Sequence, residues 1–526
     1  MQISNINNTK QNPISSDLLL INANVVTLDP GRPRAQLVAV RNGRVLLVGD
    51  DRNLERLRGS KPEVIDCRGK TVLPGFIDVH CHFISLAESL MSCSFTPKDV
   101  HSISDIQDKI RKFAEKLPPG TWIRARAYDE FYLDEKRHPM CWDLDEATSK
   151  HPVKLTHRSG HAHVLNSLAM EIAGISAKTP EPSGAIIERD LNTGDPNGVL
   201  FEMGPYLSKI IPPLKGDDQM RAVRRASQQL LSCGITSIQD ASSHNDLNRR
   251  RLFYEWKENG DLKCRVDVML GYEAFESCSP TDSSHEAAGE HIPIPSIKII
   301  VNETTGQLDP PQSELNERVL EIHQSGLQAA IHAIEETQIE AACSAISYAL
   351  QKSPRSDPRH RIEHCSVCPP QLCRRLASLG VVVVTQPSFI YYNGDRYLRT
   401  VPSQQLRNLY PIGSLMKNGV MVAASSDCPV VPPNPLIGIY SAISRTTEAG
   451  RAVLPKEKID PLEALRMHTQ YAARAIFQEK TRGSIAVGKL ADLVVLSDDP
   501  TGLRAKEVRD IQVEMTIING EVVWTK

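Results

Sequence analysis

The chain carries sixteen histidines, and several stand where they could hold a metal ion. The sharpest case is Leu73-Pro74-Gly75-Phe76-Ile77-Asp78-Val79-His80-Cys81-His82. Side chains alternate along a strand, so His80 and His82 point to the same side. Two neutral imidazoles on one side can grip one divalent cation. The same pair would serve equally as ordinary strand-end histidines. Three more ligand types close apolar runs: His332 ends 328–332, His364 ends 361–364 and Asp427 ends 421–427. A second pair, His161 and His163, follows the run 153–156, with Asn166 just beyond. It reads as a second metal grip, as a substrate-binding segment, or as a structural turn. His157, Arg158, Asp240 and His244 are further polar candidates. Cys365-x-x-Cys368 has the form of half a zinc knuckle, but no second pair lies at knuckle spacing.

These residues meet only if the elements bearing them converge. Eight β-branched or apolar runs are predicted strands: 71–79, 236–240, 265–270, 297–301, 328–332, 361–364, 381–386 and 421–427. Helical spacing over 312–325, 337–351 and 370–379 separates some of them. Strand–helix alternation predicts an α/β protein with a parallel sheet, and eight units predict a (β/α)8 TIM-like barrel over 71–482. In that fold the C-terminal ends of the strands carry the site. His80 and His82, His332, His364 and Asp427 fall at those ends of strands one, five, six and eight. The long gap 83–230 between strands one and two reads as an insertion over the mouth. A last helix is expected over 462–477, capped by Asp460 with Pro461 in its first turn. Residues 17–70 and 483–526 are strand-rich, with Asn42-Gly43 and Asn519-Gly520 as hairpin signals. They are expected to form one small β-sandwich domain from both termini. The polar stretch 1–16 is expected to be a disordered tail.

Composition narrows the function classes. Of 526 residues, 40% are hydrophobic and 24% charged, which excludes a disordered, collagenous or coiled-coil chain. Lys+Arg 61 against Asp+Glu 63 leaves no basic excess for a phosphate backbone, so no nucleic-acid partner is expected. No apolar run approaches the ~20 residues of a membrane span, and no membrane association is expected. Twelve scattered cysteines and the lack of a readable signal peptide point to free thiols in a reducing cytoplasm.

The pattern His80-x-His82, His332, His364, Asp427 resembles the amidohydrolase superfamily. Gly160-His161-Ala162-His163-Val164-Leu165-Asn166-Ser167, Gly234-Ile235-Thr236-Ser237, Arg361-Ile362-Glu363-His364 and Gly488-Lys489-Leu490-Ala491-Asp492-Leu493-Val494-Val495-Leu496 make it similar to the branch of N-substituted formamide deformylases and other N-acyl hydrolases. The resemblance implies a small-molecule substrate, often a homodimer, and one or two divalent ions, zinc first. His80, His82, His332, His364 and Asp427 would be ligands. Lys298 would join them as a carbamate bridging two ions, if carboxylated. Asp427 would move protons. His161 would contact substrate and the tetrahedral oxygen, with Asn166 counted beside it and holding the segment. The chain departs from the branch at Asn302-Glu303 and at Glu335-Glu336, where relatives usually have Asp-Gly and Gly-Asp. Glu335 also completes a His-x-x-Glu element with His332, which keeps a heterocycle deaminase as an alternative. A non-catalytic scaffold of the same fold is the other. Phe131, Tyr132, Phe389, Tyr391 and Tyr392 could face an aryl or acyl group, or simply pack.

Overall fold

The computed structural model describes residues 16–57, 62–96, 99–277 and 296–526. The expected tail over 1–16 lies, save Ser16, outside the described residues. Eight parallel strands carry the centre, most of them apolar or β-branched runs, with little exposure on either face, as parallel strands require. They are Phe76–Cys81, Ile235–Asp240, Arg265–Val268 (resumed as Leu270–Gly271), Ser296–Ile300, Gln328–Ala333, Arg361–His364, Val382–Thr385 and Met421–Ala424. The first three form one sheet, and Leu270–Gly271 with the last five forms another. One continuous strand path through Met269 joins the two sheets. At the far side Asp427 N–H donates to His80 O (2.9 Å) and His82 N–H to Cys428 O (2.8 Å). Helices Gln312–Gln324, Glu336–Lys352 and Pro370–Ser378 fill intervals between strands, and their apolar stripes are buried against the strands.

Besides 265–270, interrupted at Met269, two expected elements are divided. The run 71–79 is not one strand. Thr71–Pro74 pairs antiparallel with Leu493–Leu496, while Phe76–Cys81 joins the parallel strands. Gly75 is the divide: its N–H donates to Asp492 O (2.8 Å). A Cβ there would lie 2.3 Å from the Thr236 side chain, so only glycine fits. The expected helix 462–477 is broken into Pro461–Met467 and Gln470–Ala475. Asp460 caps the first, accepting from Leu462 N–H at 2.8 Å. The break frees His468 O to accept from Ile77 N–H (2.9 Å), tying the helix end to the first core strand.

Most of 83–230 folds around a sheet of its own. Its six strands run Ile186–Arg189, Pro196–Phe201, Ala162–Leu165, Val153–His157, Ile123–Tyr128 and Cys93–Ser94 in spatial order. One face is apolar and packs under helices Ile103–Ala114 and Cys141–Asp145. The flanking helices Phe83–Ser89 and Gly216–Ser232 instead share an apolar cluster with the parallel strands. The strands of this sheet and the apolar clusters on them draw on residues within 93–211.

Residues 18–74 and 493–525 supply the strands of two further sheets. One sheet has Arg44–Gly49, Leu37–Arg41, Leu18–Ile21 and Glu63–Asp66. The other has Glu521–Thr525, Val513–Ile518, Leu493–Leu496, Thr71–Pro74, Asn24–Val26 and Arg34–Ala35. A single buried cluster draws on both, including Leu20, Val38, Val72, Leu493 and Ile517. The other face of the second sheet, with Leu73, Val494 and Leu496, is buried against the parallel strands and their helices.

Candidate metal centre

His80 and His82 project from the end of the first core strand, and Asp427 follows the last. His82 Nε2 lies 3.1 Å from Asp427 Oδ1, and His80 Nε2 lies 3.7 Å from it. Donor atoms of these three residues all fall within 4.8 Å of one another, a spacing at which they can share one ion. Asp427 takes a left-handed backbone (φ 57°), which aspartate tolerates better than most residues. Asp78 fixes that turn. Its carboxylate accepts from Ser426 N–H (3.0 Å) and Ser426 Oγ (2.5 Å), and Ser426 Oγ accepts from Cys428 N–H (2.9 Å).

The other expected ligands close around this group. Ring centroids are 4.9 Å apart for His80 and His364 and 4.5 Å for His364 and His332. Lys298, only 3% exposed, places Nζ 3.4 Å from His80 Nε2, its one hydrogen-bonding neighbour among the described residues. Burial, with the Lys298 charge adding to it, pulls the His80 pKa down to about 3. Burial likewise lowers His332 and His364. All three rings are thus neutral, the form that binds a cation. Burial also lowers Lys298 to about 8. Burial alone would raise Asp427, but the His82 hydrogen bond and the surrounding imidazoles outweigh it and hold the carboxyl well below its usual range.

Residues that orient these side chains were not read from sequence. Glu363 accepts from His80 Nδ1–H at 2.5 Å. Arg361 grips Glu363 through Nε and Nη2 and also donates to Gln239 Oε1 (2.7 Å) and Val79 O (2.8 Å). Gln386 Oε1 accepts from His364 Nδ1–H (2.8 Å), and the Ser242 hydroxyl sits 3.0 Å from His82 Nδ1. A carboxylate or amide oxygen at Nδ1 leaves the Nε2 lone pair free for an ion. The available signal was Arg361 and Glu363 as charges inside a buried strand, where neither belongs unpaired.

His161 reaches the same place from the insertion. Its ring is 6.0 Å from that of His332, and its side chain is 44% exposed. Glu202, unrecognised in the sequence, accepts from His161 Nδ1–H at 2.8 Å. Desolvation works against a charged ring here, but Glu202 prevails and raises the pKa. Asn166 is not brought to the centre. It is fully buried, and its side chain bonds only backbone: Val153 and Ala169 N–H donate to it, and it donates to His151 O and Thr148 O. Its place is to hold the segment and cap helix Ser167–Ala173. His163 points from its strand to the Thr156 hydroxyl (3.2 Å), and no donor cluster forms with His161. His157 and Arg158 join Asp129, Glu130 and Arg396 in an ion network. The eleven described cysteines are free thiols, and Cys365 and Cys368 form no metal group among the described residues. Phe389 packs in a buried apolar cluster with Ile390 and Tyr410. No helix among the described residues is long and apolar enough to cross a membrane.

Glu335 is spent on local structure. It is the N-cap of helix Glu336–Lys352, where its N–H donates to Gln338 Oε1 (3.1 Å), and its carboxylate accepts from Gln405 Nε2 (3.1 Å).

Known proteins share this arrangement of chain. The profile of the amidohydrolase family matches residues 63–524. An N-substituted formamide deformylase of Arthrobacter pascens is 30% identical, covering 96% of this chain and 97% of its own. A putative amidohydrolase, YtcJ of Bacillus subtilis, is 26% identical over 94% of this chain and 96% of its own. An uncharacterised metal-dependent hydrolase from Pyrococcus horikoshii superposes with a TM-score of 0.74 at 22% identity, covering 93% of this chain and 99% of that one.

Proposed function

The chain belongs to the amidohydrolase family, hydrolases of carbon–nitrogen bonds, and from that premise we propose that it hydrolyses a non-peptide N-substituted amide, N-formyl or N-acyl, at the His80–His82–Asp427 centre. The observation that carries this reading is the convergence of His80, His82 and Asp427 within 4.8 Å, with neutral His332 and His364 rings beside them. The strand pairings and the two closing hydrogen bonds at Asp427 and His82 support a (β/α)8 barrel that presents this centre at its mouth. The two terminal sheets around one cluster support a β-sandwich beside it.

The donor set fits a divalent cation, zinc first: imidazole nitrogens and one carboxylate, with Nδ1 atoms already engaged. His80, His82, His332, His364 and Asp427 would hold it. Lys298 would help to hold a second ion if carboxylated: it is buried, and among the described residues no carboxylate lies within 4.0 Å of its ammonium. When bound, the cation supplies Lewis acidity to a carbonyl and to water. Asp427 accepts a proton from the attacking water and returns it to the leaving nitrogen. His161, held by Glu202, donates from Nε2 to the developing oxyanion. One water is consumed, the C–N bond breaks, and an acid and an amine leave. Deamination would need Glu335 as an acid, and the hydrogen bond that its carboxylate accepts from Gln405 Nε2 speaks against that.

The formamide deformylase relative sets the first substrates to try: N-substituted formamides, then other N-acyl amines. Asp427→Asn should keep metal, measured by elemental analysis, and lose turnover by several orders of magnitude. Retained turnover would remove Asp427 from the proton path.

A further inference from the structure

Asp240 closes the second core strand and is paired with Cys81 of the first, between His80 and His82. It is fully buried. The two strands stay together for one more step, where Ala241 N–H donates to Cys81 O (2.9 Å). The Asp240 carboxylate faces N–H donors. Oδ2 accepts from Phe83 N–H (2.7 Å). Oδ1 accepts from Ser242 N–H (3.0 Å) and from Asn245 Nδ2 (2.8 Å). Asn245 Nδ2 also donates to Met269 O (3.1 Å), which ties the third core strand to the same group.

Two of these bonds bear on His82. Phe83 is the next residue in the chain, so its bond to Oδ2 fixes the backbone where His82 leaves the strand. The Ser242 N–H bond to Oδ1 closes an Asx turn just past the second strand. That turn sets the Ser242 hydroxyl 3.0 Å from His82 Nδ1. Ser242 is buried, and its hydroxyl has no other hydrogen bond among the described residues. His80 and His364 are held at Nδ1 directly, by Glu363 and Gln386. His82 is also the more open ring, its side chain 27% exposed against 1% for His80. Packing confines it less, so its hydrogen bonds must confine it more.

We propose that Asp240 is a positioning residue of the metal centre, which acts through Ser242 and the Phe83 N–H to hold His82 with Nε2 turned towards Asp427 and a shared ion. The proposal rests on the reading of His82 as a ligand and adds the group that orients it. Asp240 touches neither substrate nor ion. It fixes the exits of the first two core strands with one carboxylate, and the ring between those exits is the one left without a charged or amide partner of its own. A partner at Nδ1 sets the tautomer and the orientation of a ligating imidazole.

Titration of the full-length protein with Co2+ against a competing chelator, read with the visible spectrum of the bound ion, tests this without substrate. Ser242→Ala should weaken Co2+ binding by about tenfold or more, the scale of losing such a partner. It should also shift the visible bands, which follow ligand number and geometry. Asp240→Asn presents one acceptor oxygen in place of two and should cost at least as much. The double variant should lose no more than Asp240→Asn alone, because the serine acts on a path that begins at Asp240. Wild-type affinity and spectrum in Ser242→Ala, or losses that simply add in the double variant, would overturn the proposal. So would an Asp240→Asn chain that circular dichroism shows to be unfolded, since Asp240 would then serve the fold and not the ligand. His82→Ala keeps the two readings apart. Unchanged Co2+ binding in that variant would remove His82 as a ligand. Binding lost there but kept in Ser242→Ala would remove the positioning role alone.

Discussion

Glu363 governs how His80 faces an ion. It lies within a buried strand, and burial alone would raise its pKa. Arg361 and His80 outweigh that and keep it ionised, well below the usual carboxylate range. Its charge holds the Nδ1 proton and so presents Nε2 as a lone pair. Glu363→Gln should weaken metal binding by about 10–100-fold, the usual cost of losing such a partner. Titration against a competing chelator reads this directly, with circular dichroism confirming the fold, since Arg361 loses its partner. Wild-type affinity in the variant would show that His80 is oriented by the strand alone. The candidate ligands were legible in sequence because alternation and strand ends are local properties, and the fold brings His80, His82, His332, His364 and Asp427 close together. Their holders were not. Glu363 to His80 spans 283 positions, Ser242 to His82 spans 160, and Glu202 to His161 spans 41. Pairs of that separation are set by packing, which no short window contains. Asn166 shows the converse, a polar residue near a motif whose hydrogen bonds all go to backbone.

At the level of elements, the eight core runs were readable because buried parallel strands are continuous β-branched stretches. The run 71–79 misled because its apolar texture passes unbroken from one sheet into another. Gly75 marks the passage, through close contact rather than turn chemistry. Gly75→Ala would put a methyl 2.3 Å from Thr236, a clash that must be relieved by moving strands. A loss of about 1–3 kcal/mol follows from such overpacking. Urea unfolding measures it, and an unchanged midpoint would show that Thr236 rotates away freely. The break at His468–Thr469 had no glycine or proline to announce it. It exists because His468 O is needed by Ile77 N–H, a tertiary demand that overrides helix propensity. The insertion's sheet was equally hidden, since its strands run over only two to six residues and differ in pattern, Ile123–Tyr128 and Val153–His157 mixing buried with half-exposed positions and Ala162–Leu165 buried throughout.

Across the whole molecule, the terminal sheets and the parallel strands share one buried cluster that includes Phe76, Ile235, Val494 and Leu496. Neither part can open without exposing the other's apolar face. Calorimetry of the metal-free protein should therefore show the terminal sheets and the parallel strands melting together. Two resolved transitions, with the terminal segments released first by proteolysis, would show them to be separate units. The pairing of Thr71–Pro74 with Leu493–Leu496 also has a consequence in time. On the ribosome the first strand emerges about 420 residues ahead of its partner. At ordinary translation rates it waits roughly 20–80 s with an open hydrogen-bonding edge. The strand that leads directly into His80 and His82 is thus completed by a segment made about 420 residues later. A nascent chain cut short before residue 493 would carry every donor of the metal centre without the neighbour that anchors the first of them.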